Sequence, residues 1–210
     1  DKPVKSAVLY YCGLGYHDAM LNGKPLDSVR LDPAHANYAK TCYYRVDHLL
    51  KSQLKEGANE LDIEVAPGWR KNGTDFMWQM LGERKIEFYG DSVLWAYLHI
   101  EYEDGTTEDI STDTTWECAL SPRTSSIFNG ETFDAALNKD FDECGKIPVK
   151  AVPAPGGEMR PMILQPITTH TFYEPKEITS PKPGVFVVDF GQNIAGYVQF
   201  HVNARVGQRM

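Results

Sequence analysis

The chain has no surplus of positive charge, no long apolar run and no paired-cysteine spacing, and each lack removes a class of function. Its 210 residues carry 21 Lys and Arg against 29 Asp and Glu, a net charge of −8. Binding nucleic acid requires a basic face against the phosphates, so nucleic acid is excluded as a partner. No apolar stretch approaches the ~20 residues that cross a bilayer as a helix, so no membrane span is expected. The start, Asp1-Lys2-Pro3-Val4-Lys5, lacks the apolar core of a signal peptide; in a piece of a longer or processed chain this says little about location. Cys12, Cys42, Cys118 and Cys144 have no C-x-x-C spacing, which argues against a zinc knuckle. A chain this long needs no covalent staple, so free, mostly buried thiols are expected. Helical periodicity is scarce too. Only residues 46–55 read as a helix, with Asp47 as a cap and Gly57 beyond its end.

What the chain has is period-two alternation. Residues 7–12, 42–46, 61–65, 95–102 and 107–110 read as strands. Asn22-Gly23 is the strongest short hairpin signal, and Asp104-Gly105 turns a second pair. Short strands separated by turn chemistry predict an all-β fold, a sandwich or jelly roll. Two stretches break the pattern. Residues 148–157 hold Pro148, Pro153, Pro155, Gly156 and Gly157; residues 179–184 hold Pro181, Pro183 and Gly184. After the second break, two apolar runs flank the polar turn Gly191-Gln192-Asn193. So few strands cannot close a sandwich, so residues 1–178 are expected to form one β domain and 179–210 the opening of a second, truncated one.

Several constellations invite chemistry. Gly13-x-Gly15 follows an apolar strand as a dinucleotide loop would, but Asp18 stands where the third glycine belongs and Asn22-Gly23 cuts off any helix. A tight turn is the better account. Glu131 and Asp134 are a candidate carboxylate pair, since glycosidic hydrolysis needs two carboxyls roughly 5–9.5 Å apart. Their odd spacing on a strand points them to opposite faces, which disfavours catalysis. Asn72-Gly73-Thr74-Asp75 and Asn129-Gly130-Glu131 offer hard oxygens to calcium, though neither has the spacing of a known calcium loop. The 6 histidines are scattered without metal spacing.

A set of segments along the chain carries a family resemblance. Gly13-Leu14-Gly15-Tyr16, Leu21-Asn22-Gly23-Lys24-Pro25-Leu26, Leu31-Asp32-Pro33 with Tyr38, Val46-Asp47, Lys55-Glu56-Gly57-Ala58-Asn59-Glu60 and Gly68-Trp69 come first. Tyr102-Glu103-Asp104-Gly105-Thr106, Trp116, Asn129-Gly130-Glu131-Thr132-Phe133-Asp134-Ala135, Gln165-Pro166-Ile167 and Asp189-Phe190-Gly191-Gln192-Asn193 follow in the same order. Together they resemble the N-terminal region of bacterial alpha-L-rhamnosidases. Three departures stand out: Asp18 replaces a frequent glutamate, Ala136 replaces a frequent arginine, and residues 76–91 show no match.

The resemblance implies a galactose-binding-like jelly roll ahead of an (α/α)-barrel catalytic domain, none of whose acidic motifs occurs here. It therefore implies a non-catalytic accessory region, inactive alone, in the periplasm or outside a bacterial cell. The implied partners are a rhamnose-containing oligosaccharide or glycan and the missing catalytic domain of the same chain. No cofactor is implied beyond the calcium weighed above. Sugar sites combine an aromatic platform with polar groups that read hydroxyls. Trp69 in its Pro-Gly-Trp-Arg loop, with Asn129, Glu131 and Asp134, is the candidate set. Trp78 beside Phe76 is a second loop tryptophan, while Trp95 and Trp116 have the strand contexts of core residues. An autonomous carbohydrate-binding module and a purely structural spacer are the alternatives.

Overall fold

Inward and outward alternation along one long strand sets the architecture. The computed structural model describes residues 2–71, 90–139, 141–199, 201–205 and 207–209. In it β1 (Val4–Leu14) buries Ala7, Leu9 and Tyr11 on one face and leaves Val8 and Tyr10 half-buried on the other. The chain divides into two compact units, Asp1–Pro166 and Ile167–Met210. In the first, β1 is followed by β2 (Tyr16–Leu21), β3 (Lys24–Pro25), β4 (Val29–Arg30), β5 (Thr41–Leu49), β6 (Leu61–Ala66) and β7 (Val93–Tyr102). Then come β8 (Thr107–Ser111), β9 (Glu117–Ala119), β10 (Arg123–Ser126), β11 (Gly130–Phe133), β12 (Lys146–Pro148) and β13 (Glu158–Pro161).

β1 is the central strand of a five-stranded sheet ordered β13-β5-β1-β7-β8. It runs antiparallel to β5 and β7, and β13 lies parallel along β5. A three-stranded sheet, β3-β2-β6, supplies the other layer. One core draws on both: Ala7, Leu9, Tyr11, Leu49 and Ala96 from the larger sheet meet Ala19 and Leu21 from the smaller, with Leu61 and Ile63 packed against them. The expected all-β sandwich is thus present. Leu9 is fully buried, and burying a leucine is worth roughly 1.5–3 kcal/mol. A second cluster of Cys12, Leu14, Tyr38 and Cys42 packs with Tyr44 and Val93. The Asn22-Gly23 turn joins β2 to β3 with φ of 55° and 74°, the left-handed pair that matches strand twist. At Asp104-Gly105, the Tyr102 N–H donates to the Thr106 carbonyl at 2.9 Å and closes the β7–β8 hairpin.

The structure corrects several expectations. Residues 46–55 are not a helix. β5 continues to Leu49, and only Lys51–Gln53 form a 3-10 turn. Pairing of Tyr10 with Val46, Val8 with His48 and Ala7 with Leu49 outweighs local propensity, because a central strand satisfies every backbone group at once. Trp95 is not core. It is 42% exposed beside Ala96, which is 1% exposed, because period two sends neighbours to opposite faces. Trp116 is half-buried against the main core. All four cysteines are free, with Cys12 and Cys42 buried and Cys118 and Cys144 only half-buried.

The second unit contains β14 (Ile167–Thr168), β15 (Glu177–Lys182) and β16 (Val185–Asp189). The expected break at 179–184 is largely strand: β15 and β16 form a hairpin around Pro183-Gly184, and the register shifts between Thr179 and Lys182, where Pro181 sits. The run after Gly191 forms no strand among the described residues; Ile194, Tyr197 and Val198 are exposed there, as are Phe186, Val187 and Val188 in β16. The packing division falls at Pro166, ahead of the break expected at 178. No helix among the described residues is long and apolar enough to cross a membrane.

Candidate functional site

β6 ends in a turn that presents Trp69. The Arg70 and Lys71 N–H groups both donate to the Pro67 carbonyl, at 3.1 and 3.2 Å. Gly68 takes a φ of +48° there, and a Cβ on it would stand 2.8 Å from the Gly15 carbonyl carbon. A Cβ on Gly15 would in turn collide with the Pro67 carbonyl oxygen. The Gly13-x-Gly15 pair is therefore filled by its own chain: Gly15 makes room for the 67–68 backbone, and Gly13 for the His17 side chain. That is the close-approach use of glycine, with no cradle left for a phosphate.

Aromatic contacts fix the Trp69 indole. It is half-buried, with its ring 5.3 Å from His35 and 5.9 Å from Phe128, the latter edge-on at 85°. Burial raises the Tyr16 phenol above its ordinary value, an effect opposed by its hydrogen bond with Trp69. Burial also lowers His35 below its ordinary value. Below the loop, Arg70 is buried; its Nε donates to the Asp91 carbonyl at 2.6 Å and its guanidinium lies over the Tyr38 ring.

Phe128 sits at the tip of the β10–β11 hairpin, immediately before Asn129. The structure thus brings the Trp69 loop against the hairpin that carries Asn129 and Glu131. The Asn129 N–H donates to Ser126 Oγ at 3.3 Å, and its side chain is exposed. Glu131 pairs with Arg123 at 3.2 Å, and Arg123 also reaches Glu64 at 3.8 Å. Asp134 caps the short 3-10 turn Ala135–Leu137, accepting from the Ala136 N–H at 3.0 Å. Glu131 and Asp134 each have a structural partner, so the two carboxylates are not presented as a pair. His35, Phe128 and Tyr16 were not legible as site members, because only the fold brings them beside Trp69. Trp78, Phe76 and the Asn72-Gly73-Thr74-Asp75 segment lie outside the described residues. Among the described residues no group of three or more His, Cys, Asp or Glu is arranged to hold a metal ion.

A second polar cluster lies inside the sandwich. Arg45 on β5 pairs with Asp27 at 2.6 Å, Asp32 at 2.8 Å and Asp47 at 3.1 Å. Tyr11 donates to Asp47 at 2.8 Å, and burial carries its phenol far above its ordinary value. His17 packs against Tyr11, with ring centroids 4.5 Å apart and the ring planes tilted by 49°. Its Nδ1 accepts from the Gly13 N–H at 2.8 Å, so the neutral ring carries its proton on Nε2. Burial pushes His17 down to about 4. One guanidinium binding three carboxylates is a structural knot that joins the loops holding Asp27 and Asp32 to the sheet.

Comparison with known proteins agrees with this architecture. Residues 2–171 match the model of the alpha-L-rhamnosidase N-terminal domain. An alpha-L-rhamnosidase of Formosa agariphila is 32% identical over 99% of this chain and 22% of its own length. One of Streptomyces avermitilis is 33% identical over 98% of this chain and 20% of its own. The chain therefore spans about a fifth of the length of these relatives. The crystal structure of the Streptomyces avermitilis alpha-L-rhamnosidase complexed with L-rhamnose superposes with a TM-score of 0.80 and 30% identity, covering 92% of this chain and 19% of that one. The alpha-L-rhamnosidase from Dictyoglumus thermophilum gives 0.76 and 28%, covering 92% and 21%. With a β-sandwich of this kind and a match over most of its length, the chain belongs to the alpha-L-rhamnosidase family, as its N-terminal domain.

Proposed function

We propose that this chain is the non-catalytic N-terminal region of a glycoside hydrolase acting on alpha-L-rhamnosides, and that it contacts rhamnose-containing glycans while supporting the catalytic domain of the same protein. The observation that carries the contact is the edge-on packing of Trp69 on Phe128. It joins the loop after β6 to the β10–β11 hairpin in one half-exposed aromatic corner, with Asn129 next in the chain. An indole there covers the apolar face and methyl group of a deoxy sugar, and the Asn129 amide reads its hydroxyls. The non-catalytic half of the proposal is supported by the engagement of Glu131 with Arg123 and of Asp134 with its own turn. The accessory domain spans residues 1–178, residues 179–210 open the following β domain, and the whole protein works in the periplasm or outside a bacterial cell.

The test is a titration of the 210-residue chain with L-rhamnose, with and without calcium, followed by amide shifts. Saturable binding on the order of 0.1–1 mM is expected for so few ligand atoms. Trp69→Ala and Phe128→Ala should abolish it; survival of binding in both removes the site. The chain should leave an aryl alpha-L-rhamnoside unhydrolysed, and turnover lost on Glu131→Gln would defeat the non-catalytic assignment. A second reading, a structural spacer, is favoured by the half-burial of Trp69 between His35 and Phe128. It predicts no shifts at any rhamnose concentration.

A further inference from the structure

The outward face of β2 carries a carboxylate that the fold leaves unpaired. Tyr16, Asp18 and Met20 point outward there, while His17, Ala19 and Leu21 are buried. Register sets Tyr16 opposite Ala66 and Asp18 opposite Glu64 of β6. Like charges facing each other across strands oppose stability. Glu64 is compensated: it accepts from Ser121 Oγ at 2.6 Å and lies 3.8 Å from the Arg123 guanidinium. Asp18 makes no hydrogen bond or ion pair among the described residues. On the far side of β2 the chain runs back along the strand, the Leu26 N–H donating to the Ala19 carbonyl at 3.0 Å, and brings Arg30 beside Asp18. Burial is the largest influence on the Asp18 carboxyl and raises it, although the side chain is exposed. Arg30 and Arg123 oppose that effect through space without pairing with the group. This describes a carboxylate on the floor of a recess, open above, with an arginine on either side.

From this geometry we infer a second sugar subsite beside the Trp69 corner, in which Asp18, Arg30 and Arg123 bracket the hydroxyls of the residue to which rhamnose is attached. Tyr16 connects the two places. It hydrogen bonds with Trp69 and precedes Asp18 by two residues on the same face, roughly 7 Å along the strand. The chemistry selects a neutral, hydroxyl-rich ligand. A carboxylate only accepts and a guanidinium only donates, so a gap between them is filled by groups that do both, as sugar hydroxyls do. An anion would meet Asp18, Glu64 and Glu131, and an apolar group would leave Asp18 without a donor. The subsite rests on the Trp69 reading and narrows its ligand from free rhamnose to a rhamnosyl disaccharide.

Titrations of the 210-residue chain with L-rhamnose, rutinose and robinobiose, followed by amide shifts, test the subsite. In the last two, rhamnose is linked to glucose and to galactose. At least one disaccharide should bind roughly tenfold more tightly than rhamnose, the low end for a hydrogen bond to a charged group. It should also shift the Asp18, Arg30 and Glu64 amides, which rhamnose alone leaves in place. Asp18→Asn should abolish the tenfold gain and leave rhamnose binding and the melting temperature unchanged. Asp62→Asn, which removes a carboxylate farther along the same face, should change neither. Rhamnose binding with no gain for either disaccharide overturns the subsite and leaves the Trp69 reading standing. A gain that survives Asp18→Asn, or that Asp62→Asn also removes, overturns it as well. If none of the three sugars binds, the subsite and the Trp69 reading fall together.

Discussion

Arg45 Nη1 lies 2.8 Å from Asp32 Oδ2, and the backbone carbonyl of the same aspartate accepts from the His17 N–H at 2.7 Å. One residue of the 31–40 loop is thus tied both to β5 and to the start of β2. Asp32 is 5% exposed, so each contact is made where water does not compete.

Removing the guanidinium should therefore leave three carboxylates facing one another. Arg45→Met is expected to destabilise the chain by about 3–5 kcal/mol, the range for breaking a buried ion pair from one side. Urea unfolding measures it. A loss under about 1 kcal/mol, the value of an exposed pair, would mean that the cluster is solvated and the knot is not structural.

His17 predicts a pH dependence with a definite sign. Its folded value, about 4, lies below the ordinary 6.5 because burial penalises the imidazolium. Between these values the unfolded chain binds more protons than the folded one, so stability is complete above pH 6.5 and is lost as pH falls towards 4. The span corresponds to about 3 kcal/mol. Arg45 and Asp47 face the ring with opposite effects, so the clean measurement is the difference in unfolding free energy between the native chain and His17→Gln from pH 7 to 4. Parallel curves would show that His17 does not titrate in this window.

Gly68 and Gly23 both have positive φ, at 48° and 74°, but only Gly68 faces another backbone; nothing lies within 4 Å of a Cβ at Gly23. Gly23→Ala should cost about 1–2 kcal/mol for the left-handed backbone alone. Gly68→Ala should cost more and should also shift the Trp69 fluorescence, because the turn and the Gly15 segment must move apart. Equal melting temperatures for the two variants would contradict the close approach.

Hydrogen exchange should separate the two units. Val185–Val188 of β16 lie in a two-stranded hairpin in which Val185 is half-buried and Phe186, Val187 and Val188 are exposed, and such a hairpin is marginal in water. Leu98–Tyr102 of β7 have partners on both sides. Protection should be much stronger in β7; equal protection would show that the hairpin is covered.

Sequence alone determined what depends on neighbours along the chain. Alternation in residues 7–12 and 95–102 announced β1 and β7, and Asn22-Gly23 announced the left-handed turn, because strand pleat and positive φ are local properties. The order of the rhamnosidase-like segments announced the family. Pairing and packing decided the rest. Residues 46–49 became strand because β1 lay alongside to bond them. Trp95 went to the outer face because Ala96 took the core position. The odd spacing of Glu131 and Asp134 already argued against a catalytic pair, but only the fold showed where each goes, the first to Arg123 and the second to the Ala136 N–H. Phe128 and His35 joined Trp69 across large gaps in sequence, where no local pattern records which loops will meet. Such contacts are set by the register of the sheets that carry the loops, and register is a property of the assembled core.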